Sequence, residues 1–413
     1  MGLVSETRKA VADSPKEIFN AYVLFCTWGF ALAGVAKGFD EGNIASLVVQ
    51  ERFKHDFGVD GETQKQYADT KGWIVSIATA GAVFGCLGIA PKAIRGLLTL
   101  QYAACQQLGV VLGFFINYGV TRTYAGFKAQ WMLPTLLQVL PAVLWGLSTF
   151  SVPESPRWLL AKSRRSEATK NLSKIRSLPP NHPVVEAEIA GIDAQLEHEI
   201  EAVAGASQRD LILETFGPVE NRRRFFLIFM ATLFSQWSGA NAITQYSPTI
   251  FGYLGVTGTE PQFLTTGIYG VVKFTSCLAF ALFIVDFLGR RRSLMTGIVL
   301  QIVTLAFVGT YLGITGNMST AAVETSQAAS RAGTAAIVAI YIHAIAWSIG
   351  WFSMPYLVGS EIFPIRIRSF NVSVSMAFHW AFYFGSSRAM PRYYGKVARV
   401  TGWAIPKAVV YGT

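Results

Sequence analysis

The chain has 413 residues, of which 52% are hydrophobic, 13% aromatic and only 15% charged. A soluble domain carries about 25% charged residues, so this composition excludes an ordinary soluble protein and indicates one embedded in a lipid bilayer. The formal net charge of +10 does not indicate a nucleic-acid partner, because basic residues of membrane proteins collect in the cytoplasmic loops.

Apolar runs recur along the chain. A transmembrane helix needs about 20 mostly apolar residues. About nine runs approach or exceed this length, at 22–49, 72–89, 97–119, 131–152, 225–253, 263–288, 293–313, 332–360 and 370–387. Each run is bounded by charged residues, Gly or Pro, and each is predicted to be a membrane-spanning helix. The predicted fold class is therefore an all-α polytopic membrane protein.

The distribution of positive charge predicts the orientation. The first 21 residues are polar and the first apolar run is too long for the h-region of a signal peptide, so we expect a cytoplasmic N-terminus. In the C-terminal half, arginine clusters at 222–224, 290–292 and 366–368 alternate with loops poor in positive charge, and the clusters are assigned to the cytoplasm. Loop 50–71 fits less well, because it is expected outside yet carries Arg52, Lys54, Lys65 and Lys71.

The only long polar stretch lies between Ser151 and Arg224 and is rich in Glu, Lys, Arg and Ala. It separates four predicted spans from five, which is the plan of transporters built from two related halves. The expected divisions are an N-terminal bundle at 1–152, a cytoplasmic helical linker at 153–224, a C-terminal bundle at 225–391 and an atypical tail at 392–413.

Nothing in the spans indicates covalent chemistry. The cysteines lie in separate apolar runs without metal-ligand spacing, at Cys26, Cys86, Cys105 and Cys277. Neither a disulfide nor a zinc site is therefore expected. Paired carboxylates and the HExxH motif are absent from the spans, so the chain is not expected to be an enzyme, and no metal or cofactor is expected.

Three motifs at predicted cytoplasmic helix ends resemble those of a known family. Residues 153–159 read PESPRWL, the phrase that follows the sixth helix in the sugar porter family of the major facilitator superfamily. Residues 286–292 read DFLGRRR and residues 361–368 read EIFPIRIR, similar to that family's D-x-x-GRR loop and SEIFPxRxR ending. The chain is identified as a member of this family, similar to fungal hexose and quinate permeases, over residues 22 to about 391.

The resemblance implies that these motifs carry gating groups. Charged groups at cytoplasmic helix ends can form ion pairs that bias the equilibrium between closed and open states. The corresponding residues are Glu154, Arg157, Asp286, Arg290, Arg291, Glu361, Arg366 and Arg368. The run GRRR also has a plainer interpretation as a cytoplasmic anchor of the kind that the positive-inside rule describes.

The resemblance also implies a cavity lined by amides and an aromatic ring. Residues 235–251 read SQWSGANAITQYSPTIF, similar to the seventh-helix motif QQxSGxNxxxYYxP, and Gln107 matches a sugar-contacting Gln of the fifth helix. Tyr356 stands where the family usually has Trp after Pro. The implied substrate contacts are Gln107, Gln236, Asn241 and Tyr356. Hydrogen bonding between helices is the alternative role of such amides, because lipid cannot satisfy them.

Charged residues interrupt two predicted spans. Residues 37–46 read KGFDEGNIAS and resemble the family's FGYDxGxI, in which proton-coupled members carry Asp at the position of Asp40. Asp40 is therefore the candidate for proton coupling, and a structural ion pair with Lys37 is the alternative. Lys273 either balances an acidic substrate or extends to the membrane surface, and the structural role is favoured. His343 and His379 are predicted to be packed polar residues.

Part of the family pattern is missing. Residues 81–88 resemble the second helix, but residues 89–96 read IAPKAIRG and resemble the end of the fourth. The third helix and most of the fourth are therefore predicted to be absent. The tail at 392–413 contains four Lys or Arg and lacks the apolar run of a twelfth helix. We expect an incomplete major facilitator fold of two helical bundles, with about nine of the family's twelve spans.

The sequence therefore predicts a multi-pass protein of the plasma membrane that transports a hexose or quinate by proton symport. Its expected partners are the small-molecule substrate, protons and the lipid bilayer. Two alternatives stay open. One is a truncated or misassembled transporter without activity, because the fourth helix normally lines the central cavity. The other is a nutrient sensor that binds sugar without transporting it.

Overall fold

In the computed structural model the chain folds into helices joined by turns, and the described residues contain no strand. Those residues are 20–60, 66–76, 97–203, 205, 207–280, 289–315, 326–352 and 362–400. The predicted all-α class is confirmed.

The helices fall into three groups along the chain. The first group is α1 (Ala21–Leu47), α2 (Glu51–Asp56), α3 (Leu97–Thr123), α4 (Ala129–Leu137) and α5 (Val139–Ser151), with a further helical segment at 66–76. The second group is α6 (Pro156–Ala161), α7 (Arg165–Arg176), α8 (Pro183–Val203) and α9 (Gln208–Phe216). The third group is α10 (Val219–Trp237), α11 (Ala240–Tyr253), α12 (Thr259–Ala279), α13 (Arg290–Thr315), α14 (Gln327–Gly350) and α15 (Ile365–Val400).

Several of these helices match the predicted spans. By length and composition, four helical stretches of the described residues can cross a membrane, at Ala129–Ser151, Val219–Tyr253, Arg291–Thr315 and Gln327–Gly350. Helices α1 and α3 have 27 residues each, so at a rise of about 1.5 Å per residue they are also long enough for the bilayer core. Most of the predicted span 72–89, and the whole of the predicted junction at 89–96, lie outside the described residues.

The last helix differs from its prediction in length. Helix α15 contains the predicted span 370–387 but continues to Val400, past the expected end of the C-terminal bundle at residue 391. The basic residues of this stretch do not interrupt the helix, because Lys and Arg are good helix formers and only a long apolar run is lost.

Glycines bring α1 and α3 into close contact. A Cβ atom added at Gly109 would lie 2.7 Å from the backbone nitrogen of Phe39, and one added at Gly38 would lie 2.9 Å from the backbone nitrogen of Val110. Contacts this short leave room only for hydrogen at both positions. Small residues at such spacing are what membrane helices use to approach each other, since lipid supplies no hydrophobic drive for their association. The contact holds polar residues of the two helices side by side.

The predicted span 225–253 is broken in the structure. Helix α10 ends at Trp237, and α11 begins after Gly239, which has a φ of +88° that disfavours any other residue. Within α11, Pro248 cannot donate to the helical ladder, and Tyr246 has non-helical angles of −121° and 17°. Discontinuous helices are typical of transporter binding sites, because they release backbone groups inside the membrane.

The linker is a separate packed layer. Helices α6, α7 and α8 share an apolar cluster that includes Leu159, Leu172 and Ile189. At the start of α9, Ser207 and Asp210 form a reciprocal cap, and the backbone N–H of Ser207 lowers the pKa of the Asp210 carboxyl. Amphipathic polar helices of this kind fold at the membrane surface rather than inside it.

Hydrogen bonds define the two ends of the molecule. Asn20 Nδ2 donates to the carbonyl of Ile175 at 3.0 Å, and Tyr22 Oη donates to the carbonyl of Ser151 at 3.0 Å. The beginning of α1 therefore lies at the linker, which we call the linker end. The other end of α1, near Leu47, is called the outer end, after the side on which it is expected from the sequence; there Tyr67 Oη donates to the carbonyl of Val48 at 2.9 Å.

Candidate functional site

A chain of buried and half-buried amides starts at the predicted proton-coupling residue. Gln138 Nε2 donates to Asp40 Oδ1 at 2.7 Å, and Asn43 Nδ2 donates to Gln138 Oε1 at 2.8 Å. Asn117 Nδ2 donates to Asn43 Oδ1 at 3.0 Å, and Gln50 Nε2 donates to Asn117 Oδ1 at 3.0 Å. The chain links α1, α3 and the junction of α4 and α5. It satisfies polar groups that lipid cannot, and it leaves Asp40 at one terminus.

The neighbouring carboxylate has a different environment. Glu41 is buried, with 8% exposure, and its Oε1 lies 3.1 Å from Lys37 Nζ one helical turn away. Gln106 Nε2 also donates to both oxygens of Glu41 at 3.3 Å. Lys37 in turn lies 5.3 Å from the ring centroid of Trp380 on α15. The structural ion pair in α1 therefore involves Glu41, and Lys37 brings it into contact with the C-terminal half.

The predicted amides of the seventh helix are brought together. Asn241 Nδ2 donates to Gln236 Oε1 at 2.5 Å across the helix break. Gln236 Nε2 lies 3.0 Å from the ring nitrogen Nδ1 of His379 on α15. Gln236 therefore bonds between helices, which was the alternative role for it, and at the same time positions Asn241. Gln107 on α3 is also buried, and its side-chain Oε1 has no hydrogen-bond partner among the described residues.

The second buried histidine supports the break itself. His343 on α14 lies 3.2 Å from the carbonyl oxygen of Ser238, a backbone group released by the end of α10. Gln301 Nε2 of α13 lies 3.3 Å from the same histidine nitrogen. His343 and His379 are thus packed polar residues, as the sequence predicts, and each holds one part of the broken helix in place.

Lys273 of α12 is buried, with 3% exposure. Its Nζ donates to Thr244 Oγ1 at 2.8 Å and lies 4.4 Å from the ring centroid of Trp347. Among the described residues no carboxylate lies within 4 Å of it. The side chain therefore does not extend to a surface, and its contacts with Thr244 and Trp347 do not balance its charge. Inserting a lysine at the centre of a membrane helix costs about 2.5 to 3.5 kcal/mol of free energy, so a lysine at such a position indicates a functional role.

Ionic and polar contacts join the two halves at the outer end. Arg388 Nη1 lies 3.3 Å from Asp69 Oδ1, and the Arg388 guanidinium lies 4.8 Å from the ring centroid of Trp73. Lys71, which has 5% exposure, donates to Thr249 Oγ1 at 2.7 Å. These contacts connect segment 66–76 to α11 and α15. The two halves are therefore in contact at the outer end in this structure.

Contacts within the protein account for the basic residues of loop 50–71, which the positive-inside rule does not predict for an outer loop. Arg52 Nη2 lies 3.0 Å from Asp56 Oδ1, Lys54 Nζ lies 5.4 Å from the ring centroid of Tyr67, and Lys71 is buried against the other half. All three described basic residues of the loop are therefore engaged within the protein, and Lys65 lies outside the described residues. Asp56 also accepts a hydrogen bond from Trp131 Nε1 at 2.8 Å, which lowers the pKa of this carboxyl. Basic residues with such contacts do not oppose an outer position of loop 50–71.

We expect that cysteines at positions 72 and 388 can be joined by a short thiol cross-linker, and that the cross-link stops transport. A Cβ atom at Gly72 would lie 3.5 Å from Arg388 Cδ and 3.4 Å from its carbonyl oxygen, so the two side chains are adjacent. The measurement is uptake by the pair Gly72→Cys and Arg388→Cys, with the native cysteines replaced by Ala, before and after cross-linking. Each single cysteine is the control. If uptake continues unchanged after cross-linking, the two halves do not separate at the outer end during transport, and the prediction is wrong.

The predicted gating residues mostly contact the linker. Arg157 Nη2 lies 2.7 Å from Glu199 Oε2 on α8, and Arg366 Nε lies 2.9 Å from Glu214 Oε2 on α9. Arg368 Nε donates to the carbonyl of Phe363 at 3.0 Å, and the carbonyl of Glu154 accepts from an asparagine of α7. The Arg366 pair joins the linker to the C-terminal bundle, whereas the Arg157 pair lies within the linker itself. They provide charged joints that can be rearranged when the bundles move.

Other predicted residues cannot be placed. Tyr356, Asp286 and Glu361 lie outside the described residues, as does the side chain of Arg290, while Arg291 is exposed at the start of α13. Sequence reasoning missed the amide chain of Asn43, Asn117, Gln50 and Gln138. The available signal was the presence of amides within apolar runs, but their partners are far apart in sequence and no motif connects them.

Solved structures share this architecture. The proton:xylose symporter XylE bound to 6-bromo-6-deoxy-D-glucose is 20% identical, with a TM-score of 0.66 over 94% of this chain and 96% of that chain. A partially occluded inward-open form of XylE from E. coli gives the same TM-score at 18% identity. At this identity the comparison shows the fold, which is that of a major facilitator transporter, a class of multi-pass membrane protein.

Sequence comparisons define the family. Residues 88–412 match the family described as "Sugar (and other) transporter". The quinate permease of Neurospora terricola is 31% identical over 452 residues, covering 93% of this chain and 83% of the relative. The quinate permease of Neurospora africana is 38% identical over 309 residues, covering 75% of this chain but 57% of the relative. The chain therefore belongs to the sugar transporter family of the major facilitator superfamily.

The alignments also bear on the predicted absence of the third helix and most of the fourth. The alignment with the Neurospora terricola permease extends over 452 residues, which exceeds the 413 residues of this chain, so it contains gaps in this chain. Other relatives, including the probable quinate permease of Aspergillus niger, are matched over about 56% of their length. A missing internal segment produces gaps of this kind.

Proposed function

We propose that this protein transports a sugar or quinate across the plasma membrane, with its N-terminus in the cytoplasm. The observation that carries the proposal is a group of amides contributed by both halves, with Gln107 buried on α3 and with Gln236 and Asn241 at the helix break of α10 and α11. Amide donors and acceptors suit the hydroxyl groups of a polyol. Several relatives are named quinate permeases.

Proton coupling is proposed for Asp40. This carboxylate is half-buried, and its described partner is the neutral amide of Gln138 rather than an arginine. A carboxylate whose partner is neutral can accept a proton without breaking an ion pair, as a proton-coupled cycle requires. The solved XylE relative is described as a proton symporter.

Alternating access is proposed for the cycle. Contacts of Asp69 and Lys71 with the C-terminal half join the two halves at the outer end, whereas Arg157 and Arg366 at the linker end pair with linker helices. Exchange of these two sets of contacts would open the outer end and close the linker end. Transport in this scheme involves no covalent chemistry, and the chain would not act as an enzyme.

The test is uptake of labelled quinate and labelled glucose by cells that lack their own carriers, with and without a protonophore. The chain as given is compared with a version in which helices three, four and twelve are restored from a relative. Concentrative uptake that the protonophore abolishes supports proton symport. Uptake that ignores the protonophore supports transport and contradicts coupling. No uptake of either compound by the restored version would contradict the proposed substrates.

A second candidate is a transporter form without activity. The gaps in the 452-residue alignment favour it, because the fourth helix lines the cavity in this architecture and its loss exposes polar residues to lipid. The same uptake experiment separates the two. Activity of the restored version alone would assign this chain to the inactive form.

A further inference from the structure

We propose that the ammonium group of Lys273 binds the carboxylate of the substrate, so that the protein prefers a polyhydroxy acid such as quinate to a neutral hexose. This inference rests on the proposed transport function and names its substrate class. The proposal is carried by a buried lysine beside the amides of the candidate site, with no carboxylate within 4 Å of it among the described residues.

The position of Lys273 places it at the site. Its Nζ donates to Thr244 Oγ1 at 2.8 Å, and Thr244 follows Asn241 by three residues on α11. Residues three apart lie on the same face of a helix, about one turn from each other. Asn241 itself is hydrogen bonded to Gln236 at 2.5 Å. The ammonium and the two amides therefore line one surface at the helix break, where a ligand with hydroxyl and carboxylate groups would meet both.

The hydroxyl of Thr244 does not neutralise the lysine. Thr244 Oγ1 donates to the carbonyl of Ala240 at 2.9 Å and lies 3.2 Å from the hydroxyl of Tyr269, so it offers only a lone pair to the ammonium. An ammonium has three donors, and Thr244 takes one of them. The Trp347 ring, with its centroid 4.4 Å from Nζ, covers a second side by a cation–π contact.

A further donor is available beside the lysine. The indole Nε1 of Trp347 is buried and has no acceptor among the described residues. A buried donor without a partner is costly, and the two donor groups belong to side chains in direct contact. A carboxylate has two acceptor oxygens, so it can satisfy both the ammonium and the indole. A sugar hydroxyl can accept from one of them but leaves the positive charge unbalanced.

The contrast with Lys37 strengthens the inference. Lys37 lies in a comparable position on α1 but pairs with Glu41 at 3.1 Å, so its charge is balanced within the protein. Lys273 has no such carboxylate within 4 Å in the part of the chain that the structure describes. The charge of Lys37 is therefore balanced by a carboxylate in contact with it, whereas the contacts of Lys273 with Thr244 and Trp347 are uncharged.

The test is equilibrium binding to the purified full-length chain in lipid nanodiscs, using quinate, its neutral methyl ester and glucose as probes. We expect the wild-type protein to bind quinate more tightly than methyl quinate by about tenfold or more, and Lys273→Met to remove this preference. Lys273→Arg keeps the charge and should retain most of the preference. Lys128→Met is the control, because Lys128 is an exposed lysine outside the candidate site, and it should leave the ratio of the two affinities unchanged.

The outcomes separate this inference from the proposed function. Equal affinities of wild-type protein and Lys273→Met for quinate would overturn the inference, as would a wild-type protein that does not discriminate quinate from its methyl ester. Binding of glucose without quinate would overturn it while leaving sugar transport intact. Binding of none of the probes would overturn both. If Lys273→Met fails to give monodisperse protein, the wild-type ratio and Lys273→Arg still decide.

Discussion

Replacing Gly109 with Leu should remove most of the folded protein from the membrane. Even a Cβ atom at this position would lie 2.7 Å from the backbone nitrogen of Phe39, and it would lie closer still to the carbonyl of Val35. Backbone atoms of a neighbouring helix cannot rotate away as a side chain can, so α1 and α3 would have to separate. We expect a destabilisation above about 3 kcal/mol, the upper end for overpacked cores. The measurement is the yield and melting temperature of detergent-extracted protein by fluorescence-detected size exclusion.

The control for this prediction is Gly119→Leu. Gly119 belongs to the same helix, and a Cβ atom there would meet nothing within 4 Å. This variant should give normal yield and a melting temperature close to that of the unmodified protein. Similar behaviour of the two variants would show that the loss at position 109 reflects helix flexibility or hydrophobicity instead of contact between the helices.

Replacing Asp40 with Asn should abolish accumulation of substrate against its gradient. Asn keeps the size of the side chain and an oxygen that can accept from Gln138 Nε2, now 2.7 Å from Asp40 Oδ1, but it cannot bind and release a proton. We expect internal substrate to equilibrate with the outside concentration, while exchange of labelled for unlabelled substrate continues. The measurements are uptake under an imposed pH gradient and counterflow without one.

The matched control is Glu41→Gln, on the next residue of α1. Glu41 is paired with Lys37 at 3.1 Å and bonded to Gln106, so its removal should lower protein yield or transport rate but leave coupling to protons intact. Retained accumulation by Asp40→Asn, together with its loss in Glu41→Gln, would reassign proton coupling to Glu41. Loss of counterflow in Asp40→Asn would instead indicate a role of Asp40 in substrate binding.

Local patterns explain what could be predicted. Apolar runs of about 20 residues dictate membrane helices because backbone groups in lipid must bond within their own segment. Motifs such as PESPRWL at 153–159 are contiguous, so the family was recognisable from the sequence, and the family comparison confirms it. The helix break after Trp237 also has a local cause in Gly239, although the sequence prediction treated 225–253 as one span.

The partners of the polar residues could not be predicted in the same way. Lys37 was considered with Asp40, but the structure pairs it with Glu41, four residues away and better placed on the helix face. Arg157 and Arg366 carry family motifs, yet their described partners belong to linker helices whose sequence resembles no motif. Each of these choices depends on which helices pack together.

By itself the sequence determined the all-α membrane class, the family and the positions of the charged motifs, because hydropathy and contiguous motifs are properties of single segments. Only the tertiary structure decided that Asp69 contacts Arg388, 319 residues away in sequence, and that Gln138 is the partner of Asp40. It also decided that Lys273 is buried with no carboxylate within 4 Å among the described residues. The physical reason is that a polar group in a membrane must find its partner on whichever helix lies next to it, and that neighbour is set by the packing of the whole fold.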